Sequence, residues 1–311
     1  MTFPPYFNAK KSFKLFGLIN DFNLLKKLYL ANKLPHAIIL SGNKGSGKST
    51  LINHFLYYLF DKKNYDENNL ELNVASDFHN QFINNIFPNI IYLNGSDYNN
   101  NKIEDIRNLK KIIYQTSISD KPRFIIFDDV ELFNNNSLNS LLKIIEEPSK
   151  KNHFILIDNK SKPLLKTIHS RCLDFKIILN EDKRHDIIES LIKLFNLKVV
   201  IDKKESKLTP GSFIKFNYIL DENKISLNED FQQNLEYMLK LYKKEKNIIF
   251  IDMILFLTNN YFNNLNKKNI YSKEKIINNK NFVFENINKF FLYNLNQNAL
   301  LSSIKNKMND K

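Results

Sequence analysis

Three of the chain's six glycines fall within one short segment, Gly42-Asn-Lys-Gly-Ser-Gly-Lys-Ser49. It matches the G-x-x-x-x-G-K-[ST] pattern in full. An apolar run, Ala37-Ile-Ile-Leu40, precedes it, and Thr50 to Phe60 follows with apolar residues at helical spacing. Strand, glycine-rich turn and helix in that order point to an α/β layer built on a phosphate-binding loop. The glycines let consecutive backbone N–H groups face one anion, and the helix N-terminus adds partial positive charge. In this pattern Lys48 reaches the β- and γ-phosphates and the Ser49 hydroxyl ligates Mg²⁺. Gly42, Gly45, Gly47 and Thr50 complete the cradle, so ATP with Mg²⁺ is the expected ligand. A ligand-free glycine-rich turn has similar composition, but it lacks the complete pattern between a strand and a helix. A loop that binds nucleotide without hydrolysing it stays open as a separate reading.

A second run, Phe124-Ile-Ile-Phe-Asp128-Asp129-Val-Glu131, is an apolar strand ending in acids. Asp128 is placed to hold Mg²⁺ through water. Asp129 stands where a hydrolysing relative of this type has Glu to orient the attacking water. Asp is one methylene shorter, and a misplacement of about an ångström can cost ~10²-fold in rate. Alone, such a cluster is a solvated turn. Its position downstream of the phosphate loop gives it the functional reading.

Further strands are expected at Asn89–Leu93, His153–Ile157 and Cys172–Ile178, with helices at Ile103–Ile118 and Ser137–Ile145. Strands alternating with helices imply a mostly parallel sheet with right-handed crossovers. From about Asn180 the pattern turns helical, with candidates at Arg184–Phe195, Leu227–Tyr242 and Phe284–Ile304. The Asn- and Lys-rich stretch from Asn259 to Asn281 reads equally as a solvated loop or an exposed helix face.

The net charge is +13. Attraction to nucleic acid accounts for it, and so does the codon bias of an AT-rich genome, which also favours Asn, Ile, Phe and Tyr. The single cysteine, Cys172, excludes an internal disulfide and any cysteine-based zinc site. It fits a reducing cytoplasm. No apolar stretch approaches the ~18–20 residues of a membrane span, and no targeting segment is evident. The histidines form no zinc pair.

One constellation is more specific. Asn139-Ser-Leu-Leu-Lys-Ile-Ile-Glu-Glu-Pro148 is followed by Phe154-Ile-Leu-Ile157 and then Leu164-Leu-Lys-Thr-Ile-His-Ser-Arg-Cys172. These runs resemble bacterial clamp-loader subunits of the AAA+ type, whose pattern there is N-x-L-L-K-x-L-E-E-P and then T-I-x-S-R-C. Phe16-Gly17, Leu34-Pro-His-Ala37 and Ile103-Glu-Asp-Ile-Arg107 fit the same family, and Asn294-Leu-Asn-Gln-Asn-Ala299 resembles the ending common in its delta-prime members. The resemblance covers residues 16 to 178 well and the C-terminus weakly.

What the resemblance implies is concrete. The fold would be an AAA+ P-loop module with a RecA-like parallel sheet over residues 1–178. A small helical lid over 179–224 and an all-α collar domain over 225–311 would follow. Arg171 would be an arginine finger that reaches a neighbouring subunit's nucleotide. Arg offers a fixed fork for phosphate oxygens, and such a finger contributes ~10³–10⁵ in rate. The sensor-1 polar residue falls on Asp158 or Asn159, with Asn159 favoured. At sensor 2, Gly211-Ser-Phe-Ile-Lys215 carries Lys215 and no arginine. Together with Asp129 this implies weak or absent hydrolysis by the chain itself. Many relatives carry a four-cysteine zinc module that this chain lacks, so no zinc is expected. Partners would be the tau/gamma and delta subunits, and through the complex the sliding clamp and primed DNA. The alternative is an autonomous AAA+ motor ATPase such as the tau/gamma subunit, or another DNA-associated AAA+ protein.

Overall fold

The computed structural model describes residues 3–97, 121–146, 151–227, 230–269 and 271–309. The helix expected from Ile103 to Ile118 and the Glu147-Pro148 end of the acidic run lie outside the described residues. The chain forms two compact units. One holds Thr2–Asn196 and Leu208–Ile214, the other Leu197–Lys207 and Lys215–Lys311.

The first unit runs α1 (Ile19–Leu30), β1 (Ala37–Ser41), α2 (Lys48–Phe60), β2 (Tyr65–Asp66), β3 (Glu71–Leu72), α3 (Asp77–Ile83) and β4 (Ile90–Asn94). It continues with β5 (Arg123–Asp128), α4 (Asn135–Glu146), β6 (Asn152–Asp158), α5 (Lys166–His169), β7 (Leu173–Lys176) and α6 (Glu181–Phe195). Five strands form one parallel sheet in the order β4-β5-β6-β1-β7. β2 and β3 make a separate antiparallel pair.

The apolar runs explain the sheet. Successive strand residues point to opposite faces, and here both faces are covered. Ile38, Leu40, Phe124, Ile126, Ile155 and Ile157 pack in one core with Leu51, Phe55 and Leu56 of α2. Ile39, Ile125, Phe127, Phe154 and Leu156 pack in a second core with Leu138, Leu141 and Ile144 of α4. A strand buried on both sides needs an apolar residue at every position, hence runs without alternation. Phe124 is fully buried and meets the Phe55 and Phe60 rings edge-on at 6.0 Å each. Truncating it to alanine would cost about 3–5 kcal/mol.

The apolar runs stop at one edge of the sheet. Ser41 pairs in register with Asp158, and Asn94 with Asp128. The carboxyl ends of four strands therefore present polar residues together, the edge where open α/β sheets hold ligands. Asn180, where the pattern turns helical, is the N-cap of α6 and accepts from the Lys183 N–H at 2.9 Å.

α7 (Pro210–Glu222) starts in the first unit and runs into the second. α8 (Phe231–Glu245), α9 (Ile249–Lys267), α10 (Lys273–Tyr293) and α11 (Gln297–Asn309) follow. Leu235, Met238, Leu239, Phe250, Met253, Ile254, Val283, Ile287 and Ile304 are buried there. Buried Asn217 staples the segment leading into this unit. Its amide accepts from Val200 N–H at 2.7 Å and donates to Lys198 carbonyl at 2.6 Å.

One sequence expectation needs correction, and one open reading is decided. The last helix is not continuous from Phe284 to Ile304. Asn294 adopts left-handed φ of 51° and caps α10, and Asn296 then accepts from the backbone N–H of Asn298 and Ala299 to start α11. The Asn- and Lys-rich stretch is mostly helix, divided between the end of α9 and the start of α10. Among the described residues no helix is long and apolar enough to cross a membrane.

Candidate nucleotide-binding site

The phosphate-loop segment joins β1 to α2 at the polar edge. Gly42 N–H donates to Asp158 carbonyl at 3.2 Å, which ties the loop to β6. Gly47 caps α2 with φ of 92°, a conformation open to glycine at no steric cost. At Gly45, φ is +81° and a Cβ would lie 2.5 Å from Thr209 Oγ1. The loop apex is held there by the chain just before and inside α7. Thr209 Oγ1 donates to Lys44 carbonyl at 2.6 Å, and Gly211 N–H donates to Gly45 carbonyl at 2.9 Å.

Lys48 is buried in the first turn of α2. Its ammonium donates to the carbonyls of Gly42 at 2.8 Å and Asn43 at 2.9 Å. Burial lowers its pKa to about 8, while nearby Asp128, Glu131, Asp158 and Asp129 oppose that shift. Thr50 sits half-buried on the same turn.

Ser49 and Asp128, both expected at a cation, are in contact. Ser49 Oγ donates to Asp128 Oδ2 at 2.8 Å. The same oxygen accepts from Tyr92 Oη at 2.6 Å, and Asp128 Oδ1 accepts from the Asp129 N–H at 3.0 Å. Burial raises the Asp128 carboxyl above its usual range; the Tyr92 and Ser49 donors pull it back and the neighbouring Asp129 charge raises it further.

Asp129 takes left-handed φ of 51° at the end of β5. Of the two sensor-1 candidates, Asn159 is the one that meets it. Its side-chain Nδ2 donates to Asp129 Oδ1 at 2.6 Å. Asp158 accepts from the Lys160 N–H at 2.8 Å instead. Buried Glu131 holds this loop in place. It accepts from Asn159 N–H at 3.2 Å and from Ser161 Oγ at 2.7 Å.

Arg171 lies on the surface after α5. Its guanidinium pairs with Glu146 at the end of α4 and donates to Thr167 carbonyl at 3.0 Å. Cys172 is half-buried, and burial pushes its thiol up to about 11, against a nucleophilic role. Lys215, on α7, falls in the second unit.

Sequence reasoning left out Tyr92, and it quoted Glu131 without giving it a task. Both carry a faint signal. Tyr92 is a polar-tipped residue inside an apolar strand, and Glu131 is an acid between apolar neighbours Val130 and Leu132.

The residues present fit a nucleoside triphosphate with a divalent cation. The backbone turns at positions where a side chain would not fit. A buried ammonium rests on loop carbonyls that could yield it to a stronger anion. A hydroxyl and a carboxylate stand in contact beside it, the hard oxygen donors that Mg²⁺ takes. That cation would supply charge neutralisation between the β- and γ-oxygens.

Comparison with known proteins bears on the whole chain. It is 26% identical over 318 residues to the DNA polymerase III subunit delta' of Buchnera aphidicola from Acyrthosiphon pisum, covering 93% of this chain and 87% of that protein. It is 27% identical over 237 residues to the DNA polymerase III subunit gamma of the same organism, covering 72% of this chain. The match spans 62% of that gamma subunit and 43% of the one from the Schizaphis graminum strain. A solved gamma subunit-related protein of Thermotoga maritima aligns with a TM-score of 0.42 at 14% identity, over 90% of this chain and 96% of its own. Residues 19–180, more than half of the chain, match the model of the family described as DNA polymerase III, delta subunit, and the chain belongs to that family.

Proposed function

We propose that this chain is a delta-prime-type subunit of a DNA polymerase III clamp loader, helping to place a sliding clamp on primed DNA. The observation that carries this reading is the extent of the match. The delta' relative aligns over 93% of this chain and 87% of itself, whereas the gamma relative aligns over 62% of its length. In this reading the α/β module over 1–178 carries a lid over 179–224 and a collar over 225–311 that joins the other subunits.

ATP with Mg²⁺ binds at the phosphate loop. Gly42, Gly45 and Gly47 present backbone donors, Lys48 moves from the loop carbonyls to the phosphate oxygens, and Ser49 with Asp128 holds the cation. Thr50 extends the cradle along the first turn. The short Asp129, held by Asn159, leaves hydrolysis slow. Arg171 acts outward, at the nucleotide of an adjacent ATPase subunit. Its support is its exposure on the surface, where among the described residues it pairs with the Glu146 carboxylate. The tau/gamma and delta subunits are the partners.

The test is clamp retention. A complex of cognate tau/gamma and delta with this chain should leave labelled clamp on a nicked, primed circle. Omission of this chain should reduce loading at least tenfold. Equal loading with and without it contradicts the proposal.

A further inference from the structure

Tyr92 belongs to no motif, yet its hydroxyl ends on the carboxylate that also meets Ser49 at the end of the phosphate loop. β4 and β5 are parallel, with Asn94 opposite Asp128 and Tyr92 opposite Ile126. Tyr92 and Asp128 are thus diagonal neighbours two residues apart, within reach of a long side chain. The phenol spans that diagonal and donates to Asp128 Oδ2 at 2.6 Å.

The ring is fixed by its surroundings. Lys10 Nζ stands 4.0 Å from its centroid, and Phe82 meets it edge-on at 6.5 Å. Among the described residues, Asp128 Oδ2 accepts from two side chains, Tyr92 and Ser49. Ser49 is the group that turns to the cation. Tyr92 is held on the neighbouring strand, β4.

We infer that Tyr92 is a positioning residue for the divalent cation of a bound nucleotide, fixing the Asp128 carboxylate through its hydroxyl. This inference rests on the phosphate-loop reading above. Without the hydroxyl, one oxygen of a buried carboxylate loses its fixed donor. The side chain then gains freedom to rotate and meets a higher cost for holding charge. Partners of this kind behind metal-binding groups change cation affinity by about 10–100-fold when removed. Contact with the phosphates themselves is untouched, so the effect is confined to the cation.

The experiment measures binding of a fluorescent ATP analogue to the full chain, in EDTA and across a Mg²⁺ titration. Wild type, Tyr92→Phe, Asp128→Asn and the double variant are compared, with circular dichroism melts to verify folding. We expect Tyr92→Phe to raise the half-maximal Mg²⁺ concentration about tenfold while affinity in EDTA stays unchanged. In the Asp128→Asn background the Tyr92 change should add less than twofold, because both act through one carboxylate. An unshifted Mg²⁺ midpoint overturns the role of Tyr92, and so does an equal loss of affinity with and without Mg²⁺. Absence of any binding by wild type overturns the phosphate-loop reading itself.

Discussion

Asn159 donates its side-chain amide to the Asp129 carboxylate at 2.6 Å, bridging the ends of β6 and β5. The acid proposed for the hydrolytic position is therefore already engaged, on an arm one methylene shorter than glutamate. Restoring that methylene should restore reach. Asp129→Glu is expected to raise single-turnover ATP hydrolysis by at least tenfold, out of the ~10²-fold attributable to misplacement. Asn159→Ala should give no such gain. An unchanged rate in Asp129→Glu would locate the slow step elsewhere.

Lys48 carries a pH dependence of definite sign. Its folded pKa is about 8 against an ordinary 10.5. Between those values the unfolded chain binds the proton and the folded chain does not, so stability rises with pH across that window. Relative to Lys48→Met, the wild type should gain on the order of 3 kcal/mol between pH 8 and 10.5. Chemical denaturation at stepped pH measures this. Nucleotide affinity should move the opposite way and fall as pH rises through about 8, because the phosphates need the protonated lysine.

Acid sensitivity should centre on His54. It is fully buried on α2, its Nδ1 lies 3.2 Å from Tyr65 Oη, and burial lowers its pKa to about 3. Its folded pKa lies below the unfolded 6.5, so stability falls as pH drops from 6.5 towards 3. One such group gives a slope of about 1.4 kcal/mol per pH unit. His79 and His153 are also shifted down by burial and add to the slope. His54→Phe should flatten the curve by about one proton. An unchanged slope would mean that carboxylates dominate acid unfolding.

The finger role proposed for Arg171 is open to mutation. Arg171→Ala should leave assembly intact and lower the ATPase of the whole complex by at least tenfold, within the ~10³–10⁵ attributed to such groups. Glu146→Gln removes the carboxylate that pairs with Arg171 and should leave complex ATPase equal or higher. Unchanged ATPase in Arg171→Ala would remove the finger role.

What was legible in the sequence followed from burial. β1, β5 and β6 each carry four consecutive apolar residues, Ala37–Leu40, Phe124–Phe127 and Phe154–Ile157, because both sheet faces are covered, so their runs stood out. The phosphate loop stood out because only glycine meets its backbone demands. α9 was missed for the converse reason. Ile249 to Leu257 is apolar apart from Asp252, and a continuous run carries no 3.6-residue period. The break at Asn294 was hidden because left-handed asparagine leaves no sign beyond its own name, in a chain full of asparagines. Tyr92 and Glu131 were illegible as site residues because their tasks depend on pairings across strands and loops that no local pattern records.

We propose above that this chain is an assembly subunit of a clamp loader. Mixing it with purified cognate tau/gamma and delta, then measuring mass by size exclusion with light scattering, tests that most directly. A stable hetero-oligomer of pentamer mass that contains this chain is the expected product. Partners that assemble among themselves while this chain elutes alone would contradict it.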